Sequence, residues 1–595
     1  MFFTKFDPLT KEYVDENVIK KARADGQRCK CLVGKKFTAR LNGEYAPEEL
    51  KYEILDKDNL IVTENGVSGT VGYTTVSQGP IMILTHLAPD SSRAWHLVMD
   101  TRSWAVTAFE TWFGVTTPVG IDLMGGNKEP DYYREIPREV QRQYYFGWLD
   151  FGDNEKPLRM HTTTNRVEGR GLHWDFDTGY EILTFFPSVS CCTLVELGRE
   201  MGGITMMNPA DFIRIDDEYY IFSRCEAEFS GKLWIEILGF FDWESAGMEF
   251  GFEEDDTFTY RTHHAKLELT GDAAHMEKIN NFGDQDPPQL NGKHEKGSRY
   301  VYRPMDIDLP MTHEQALAKA KESYHIMERD TTSIMDTHNA LPICYDLVGK
   351  KFKVWPDNEK YAQAPWSGKR DKPWEYWIVS ETQLKWRRNG GKWHEEKYKC
   401  FQPDKHLYFF SHMITGDPRY CMVSQVVDFD TALTTTVVCG IGNWHSEWES
   451  GAEVQFGTLE YGDLKAPFAR RHHFTDELLG YCWAWAYSDV MNSIHIYSSP
   501  ESYSWTILQA NNAGGASWSS PCFYIKLRPD VYLFQWVEEN CNGMQCLVVM
   551  NRKIQHDGGF SYGVSKRGLT VNVTGAYQRE LGHFDIRKYF DRPAK

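Results

Sequence analysis

The chain has 595 residues, 41% of them hydrophobic and 14% aromatic with 20 Trp, which excludes a disordered polymer and exceeds what one hydrophobic core organises. Sixty-five Lys and Arg against 84 Asp and Glu give a formal charge of -19, the wrong sign for gripping a phosphate backbone, so no nucleic-acid partner is expected.

The opening segment, 1–27, has neither a basic stretch followed by an apolar one nor a run long enough to span a bilayer. A cytoplasmic protein without a membrane partner is the expectation, and oligomerisation is left open. Thirteen Cys with no C-x-x-C spacing read as reduced, mostly buried thiols rather than a zinc site.

Leu32-Val33-Gly34-Lys35-Lys36-Phe37 begins the first patterned region, and it returns as Leu347-Val348-Gly349-Lys350-Lys351-Phe352, about 315 residues later. Phe146-Gly147-Trp148-Leu149-Asp150-Phe151-Gly152 returns as Phe456-Gly457-Thr458-Leu459-Glu460-Tyr461-Gly462, about 310 later. Two patterns displaced together indicate tandem duplication. Gly169 to Phe176 and Gly480 to Tyr487 form a further pair at an offset of about 311. The four glycine-led starts define units A (28–156), B (157–275), A' (341–467) and B' (468–595), with 276–340 as linker.

Within these units short runs of alternating aromatic and β-branched residues predict strands. In Tyr219 to Glu226, period two puts Tyr220, Phe222, Arg224 and Glu226 on one face. Asn281 to Pro310 reads as a surface loop, and a helix is expected from Thr312 to about Met327. Pro356 to Trp374 is an insertion, read as a long loop or a lid. Cys482 to Tyr487 places Trp483, Trp485 and Tyr487 together, and Val531 to Glu538 does the same for Tyr532, Phe534, Trp536 and Glu538. Many short strands with an aromatic face favour closed antiparallel β-barrels. The fold expected is mainly β, four barrels in A-B-A'-B' order.

No Gly-x-Gly-x-x-Gly follows a strand, and neither a phosphate-binding loop nor a Gly-x-Ser-x-Gly elbow occurs, so no cofactor is expected. His263-His264 and His472-His473 are adjacent pairs whose rings point to opposite sides of an extended segment, which disfavours a shared metal. His161 aligns with His473 across the duplication, and His173 and His495 read as ordinary polar strand positions.

His472-His473-Phe474-Thr475-Asp476-Glu477-Leu478-Leu479-Gly480, with Ser504-Trp505 and Tyr532 to Glu538, resembles the C-terminal domain of molybdenum cofactor biosynthesis protein F. The unit beginning at Val348-Gly349-Lys350-Lys351-Phe352 and its Phe-Gly connector resemble that family's N-terminal domain. The resemblance implies lipocalin-like barrels, four of them through the duplication. Unit A' is also similar in layout to the phenolic acid decarboxylases, which use two inward tyrosines, an arginine and a glutamate. Carried over, the tyrosine positions fall on Ala39 and Leu41 in A, Val354 and Pro356 in A', Trp174 and Phe176 in B, and Trp485 and Tyr487 in B'. The glutamate falls on Glu226 and Glu538, and the arginine near Ser517. On this reading the A-type units have lost inward polar groups.

Glu538 is the leading catalytic candidate, with Tyr487 to orient or share its proton, because an apolar surround raises a carboxyl pKa toward the range of a general acid or base. A solvated strand-end glutamate is the alternative. Glu226 and Arg224 form the second candidate, an inward ion pair that clamps an oxygen ligand or serves structure alone. Trp485, Trp536, Phe534 and Tyr532 in B', with Trp174, Phe176 and Phe222 in B, would line the ligand sites. The function expected is a cofactor-independent lyase, decarboxylase or isomerase acting on a small apolar or phenolic molecule in the B-type barrels. A small-molecule carrier, or an accessory factor in molybdenum cofactor metabolism, is the alternative.

Overall fold

The structure is a computed structural model that describes residues 4–8, 30–43, 45–89, 93–118, 139–189, 191–197, 205–225, 232–252, 258–273, 313–322, 324–329, 338–357, 372–441, 450–467, 470–509, 517–538, 544–565 and 568–590. Two compact units emerge. One comprises Phe3–Val119, Pro130–Arg303 and Phe584–Lys595; the other comprises Pro304–His583 with Met1–Phe2 and Gly120–Glu129.

In the first unit, eight antiparallel strands from Lys36–Asn42 to Glu139–Asp150 close into barrel 1, and Thr4–Pro8 adds to the Ala105–Pro118 strand. Eight more, from Arg170–Phe176 to Phe258–Ala273, close into barrel 2. An apolar layer including Val76, Ile83 and Val98 of barrel 1 and Ile221, Ile235 and Met248 of barrel 2 seals the two together. Arg142, fully buried, donates to Asp211 (2.8 Å) and Ser223 (3.1 Å) across this seam.

In the second unit, the strands from Lys351–Pro356 to Ser450–Glu460 form barrel 3. The last sheet runs from Tyr481–Ser488 to Tyr577–Phe584, and its outer residues Leu533, Leu547 and Phe560 share a core with Phe401, Phe409 and Val426 of barrel 3. Arg528 of that sheet is held by Asp428 (2.7 Å) and Asp404 (3.1 Å).

The repeated motifs now have causes. Gly34, Gly169, Gly349 and Gly480 take φ of 80°, 85°, 84° and 84°, the left-handed region that favours glycine. Each then donates its N–H to the carbonyl of Ile54, Phe186, Ile378 or Tyr497, at 2.8 to 2.9 Å. The Phe-Gly motif marks the closing seam of barrels 1 and 3. A Cβ on Gly147 would sit 2.1 Å from the Arg40 carbonyl oxygen, and one on Gly457 2.3 Å from that of Trp355.

Four barrels were expected, and three closed eight-stranded barrels are found among the described residues. The last sheet has its closing strand in two pieces. Gly568–Thr574 pairs with His556–Ser565, and Tyr577–Phe584 pairs with Tyr481–Ser488. The break falls at Gly575, where a Cβ would meet the Asp557 carbonyl oxygen at 2.7 Å and Ala340 Cα at 2.8 Å. The two pieces enclose an inner face all the same, called the last lumen below.

The linker helix is shorter than expected. It spans His313–Glu322, and Tyr324–Arg329 instead forms a strand parallel to Gly568–Thr574, so an open sheet edge overrides the helical pattern after Glu322. Among the described residues ten cysteines form no disulfide, whereas Cys31 is disulfide-bonded, which corrects the all-thiol reading. No helix among the described residues is long and apolar enough to cross a membrane. The Asn281 to Pro310 loop and all of the insertion but its flanks at Pro356, Asp357 and 372–374 lie outside the described residues.

Candidate active site

The last lumen gathers most of the B' residues singled out above. Period two on Tyr481–Ser488 and Val531–Glu538 turns Trp485, Tyr487, Phe534 and Trp536 inward, while Leu533 faces the core shared with barrel 3. Trp485 stacks on His495 with centroids 4.5 Å apart, and Phe534 stacks on Trp536 at 4.8 Å. Tyr503 meets Phe534 edge-on at 5.1 Å, and Tyr524 stacks on it at 5.6 Å. Such offset and edge contacts add stabilisation beyond area alone.

Polar groups are threaded through this aromatic wall. His495 Nε2 lies 3.1 Å from Ser493 Oγ and 3.4 Å from Tyr487 Oη. Burial lowers the His495 pKa to about 3, so its ring stays neutral at ordinary pH. Glu538 is part-buried at its strand end and accepts from Trp536 Nε1 at 2.5 Å. Desolvation raises its pKa, and the indole hydrogen bond opposes part of that rise. Its charge in turn disfavours ionisation of Tyr487 and Tyr503, whose pKa values burial already raises well above the ordinary phenol range. Asp557 is fully buried, and desolvation lifts it to about 8 against the opposing hydrogen bonds from Gln578 and the Ala576 N–H. At neutral pH this lumen is lined by protonated hydroxyls and a protonated carboxyl.

Several buried atoms here lack a hydrogen-bond partner among the described residues, including His495 Nδ1, Ser561 Oγ and Gln578 Oε1. Tyr497 Oη is likewise outside hydrogen-bond geometry. Tyr532 is committed elsewhere: its hydroxyl donates to Glu477 at 2.8 Å. Ser517, near which the family arginine was expected, donates to Thr506 at 2.9 Å.

In barrel 2, Trp174, Phe176 and Phe222 sit in a lumen packed with Phe186, Phe212 and Leu194. Trp174 Nε1 donates to Thr184 at 2.8 Å. Arg224 is buried with its guanidinium 4.4 Å over the Trp234 ring. Its expected partner Glu226 lies outside the described residues.

Sequence reasoning read His495 as an ordinary polar position and missed Asp557, Ser561 and the tyrosines Tyr497, Tyr503 and Tyr524. Period two could have found His495, Ser561 and Tyr524, each of which alternates inward between apolar neighbours on its strand. The pairing of His161 with His473 is corrected as well. His161 accepts or donates through Nδ1 to Thr107 at 2.8 Å, and it is His472 that makes the same contact to Thr435, also at 2.8 Å.

The A-type units also keep inward polar groups, contrary to expectation. Tyr52 pairs with His86 at 3.0 Å in barrel 1, and Tyr376 pairs with His412 at 3.2 Å in barrel 3. Arg93 bridges Glu64 (2.9 Å) and Glu110 (2.6 Å). The carried-over tyrosine positions all lie on the first strand of each unit, whereas these groups sit on later strands.

Residues 333–443 match the MoaF N-terminal domain, and residues 472–583 match the MoaF C-terminal domain. The second half of the chain is MoaF-like. The matches take in the strands of barrel 3 as far as Leu433–Ile441 and then the last sheet, in the order N-terminal then C-terminal domain, and the last lumen falls within the residues that match the MoaF C-terminal domain. A search of curated proteins finds no match.

Proposed function

We propose that the last lumen is a cofactor-independent acid–base site for a small apolar or phenolic molecule, with chemistry of the lyase, decarboxylase or isomerase type. The observation that carries this reading is Glu538, a carboxyl of raised pKa at the end of an aromatic wall, acting electrostatically on Tyr487 and Tyr503. A carboxyl whose pKa is raised holds and returns its proton more readily than an ordinary one, which suits proton abstraction or protonation at carbon. Phenols that stay protonated donate hydrogen bonds to the oxygen on which negative charge develops. The aromatic rings hold a planar ligand, and neutral His495 links Tyr487 to Ser493.

The test is turnover of a panel of phenols and α,β-unsaturated carbonyl compounds, followed by absorbance and mass spectrometry. Glu538→Gln is expected to lose about 10²–10⁴-fold in kcat on any substrate found. Full turnover in that variant would remove Glu538 from the chemistry.

A carrier role, or an accessory role in molybdenum cofactor metabolism, is the second reading. It is favoured by the MoaF domain match and by the unpartnered Ser561 and Gln578 oxygens, which suit hydrogen-bonded retention of a polar heterocycle. Mass spectrometry of the protein as purified distinguishes it, because a co-purifying pterin would place this reading first.

A further inference from the structure

Barrel 2 holds a polar side chain that the proposed chemistry does not use and that the fold does not answer. Period two on Thr205–Arg214 turns Met206, Asn208, Ala210 and Phe212 inward, and Met206, Ala210 and Phe212 pack in the lumen with Trp174, Phe176 and Phe222. Asn208 is fully buried among them, and neither its Nδ2 nor its Oδ1 has a hydrogen-bond partner among the described residues. Native interiors seldom leave both halves of a buried amide unsatisfied. The last sheet shows how the same position is answered in the other copy. Strand registers equate Asn208 with Ser520 and Leu194 with Trp505. There Trp505 Nε1 donates to Ser520 Oγ at 3.1 Å. Barrel 2 keeps a polar residue at that position, a larger one, and has leucine where the partner stands. The Trp234 indole N–H of the same lumen also lacks an acceptor among the described residues. Glu236, by contrast, is answered: it accepts from Ser245 Oγ at 2.6 Å and lies 2.5 Å from His263 Nε2.

We propose that barrel 2 binds a small uncharged aromatic carboxamide through Asn208, at a site separate from the last lumen and independent of its chemistry. The Asn208 side chain presents an N–H and a carbonyl oxygen side by side, and a second amide is its complement: the ligand oxygen accepts from Nδ2 while the ligand N–H donates to Oδ1. Both orphaned atoms are then satisfied together, in surroundings of low dielectric where such a pair is stronger than in water. A ketone or an ester would leave Oδ1 without a donor. So would a carboxylate, which would also share the lumen with the Glu236 carboxyl. The ligand is planar and aromatic because Trp174, Phe176 and Phe222 wall the same lumen, with the Trp174 and Phe176 rings stacked at 5.8 Å and the Trp174 and Phe222 rings tilted at 6.0 Å.

The experiment titrates the full-length chain by calorimetry with benzamide, with acetophenone, which has the same shape and lacks the N–H donors, and with benzoate, which lacks them and is charged. Benzamide is expected to saturate and to bind at least about tenfold more tightly than either of the others. Asn208→Leu, close in size and without polar atoms, should weaken benzamide about tenfold and leave acetophenone unchanged, so that the preference between the two disappears. Asn208→Ser, which copies the last sheet, should reduce the same preference. No saturable binding of benzamide by the parent protein, equal affinity for benzamide and acetophenone, tighter binding of benzoate, or a preference unchanged in both variants would overturn the proposal. If Asn208→Leu does not fold, Asn208→Ser decides.

Discussion

Barrel 2 and the last sheet place different chemistry at the same positions of the same strands. Strand registers equate Phe176, Phe186, Cys192 and Phe212 of barrel 2 with Tyr487, Tyr497, Tyr503 and Tyr524 of the last sheet. They equate Arg224, Glu236 and His263 with Trp536, Val548 and Thr574, and Ser245 with Asp557. Trp174 and Trp485, and Phe222 and Phe534, stay aromatic in both. The lesson is a division of labour: a few rings hold each sheet curled, and the positions between them are free to acquire hydroxyls, carboxyls or a guanidinium.

If the shared rings carry the packing, removing one should cost the same in either copy. Trp174 and Trp485 are 1% and 0% exposed, and Trp→Ala at each is expected to destabilise its unit by about 3–5 kcal/mol, read by denaturant unfolding. A much smaller loss at Trp485 would mean that the last lumen is loosely filled, and the comparison would then rest on space as much as on chemistry.

Asp557 against Ser245 gives a difference in pH dependence. The folded pKa of Asp557 is about 8, above the roughly 3.9 of an unfolded aspartate, so the native state keeps a proton that the unfolded state has released. Its contribution is complete below pH 4 and is lost as pH rises toward 8, at up to about 1.4 kcal/mol per pH unit. Asp557→Asn should flatten melting temperature against pH between 6 and 8. An unchanged slope would assign the alkaline loss to other groups.

Buried neutral histidines act with the opposite sign, and they are shared by both halves. Burial lowers His86, His161 and His412 to about 4 and His96, His472 and His495 to about 3. Their stabilisation is complete above pH 6.5 and is lost as acid protonates the unfolded chain, about 3 kcal/mol for each of the first three and about 5 kcal/mol for each of the others once pH falls below the folded values. Their number outweighs the one aspartate between pH 4 and 6.5. His495→Gln should reduce the acid sensitivity of the second unit, measured as the shift in its unfolding midpoint from pH 7 to 5.

The duplication, the strands and the inward aromatic faces were legible because period two and repeated motifs are local properties of the chain. Glycines at 34, 169, 349 and 480 announced four starts, and the structure has a sheet after each. What the chain did not announce depends on partners distant in sequence. Asp557 looks like a turn residue in Gln555-His556-Asp557-Gly558 and becomes a buried acid only because the strand break at Gly575 brings Ala576 and Gln578 to it. His263 gained Glu236 through a register 27 residues apart, and the closing strand broke where Gly575 meets Ala340, a contact no periodicity encodes. Glu538 was legible as an inward position, and its part-burial places it between the two readings that the sequence left open.

The smallest expected effect separates stability from function most cleanly. Phe186 and Tyr497 share a position, and each carbonyl accepts from the starting glycine of its unit at 2.9 Å. The two differ by one hydroxyl, which in Tyr497 is buried and outside hydrogen-bond geometry. Burying such a group without full compensation is unfavourable, so Tyr497→Phe, which copies barrel 2 into the last lumen, should leave stability unchanged or raise it by up to about 1 kcal/mol. Thermal unfolding reads that gain, and binding of a phenolic ligand by the same variant reads whether the hydroxyl serves the lumen. A variant that is more stable yet binds less would show that this hydroxyl is retained for the ligand; one that loses stability would show that the hydroxyl is satisfied within the fold, and the contrast with Phe186 would then be one of packing alone.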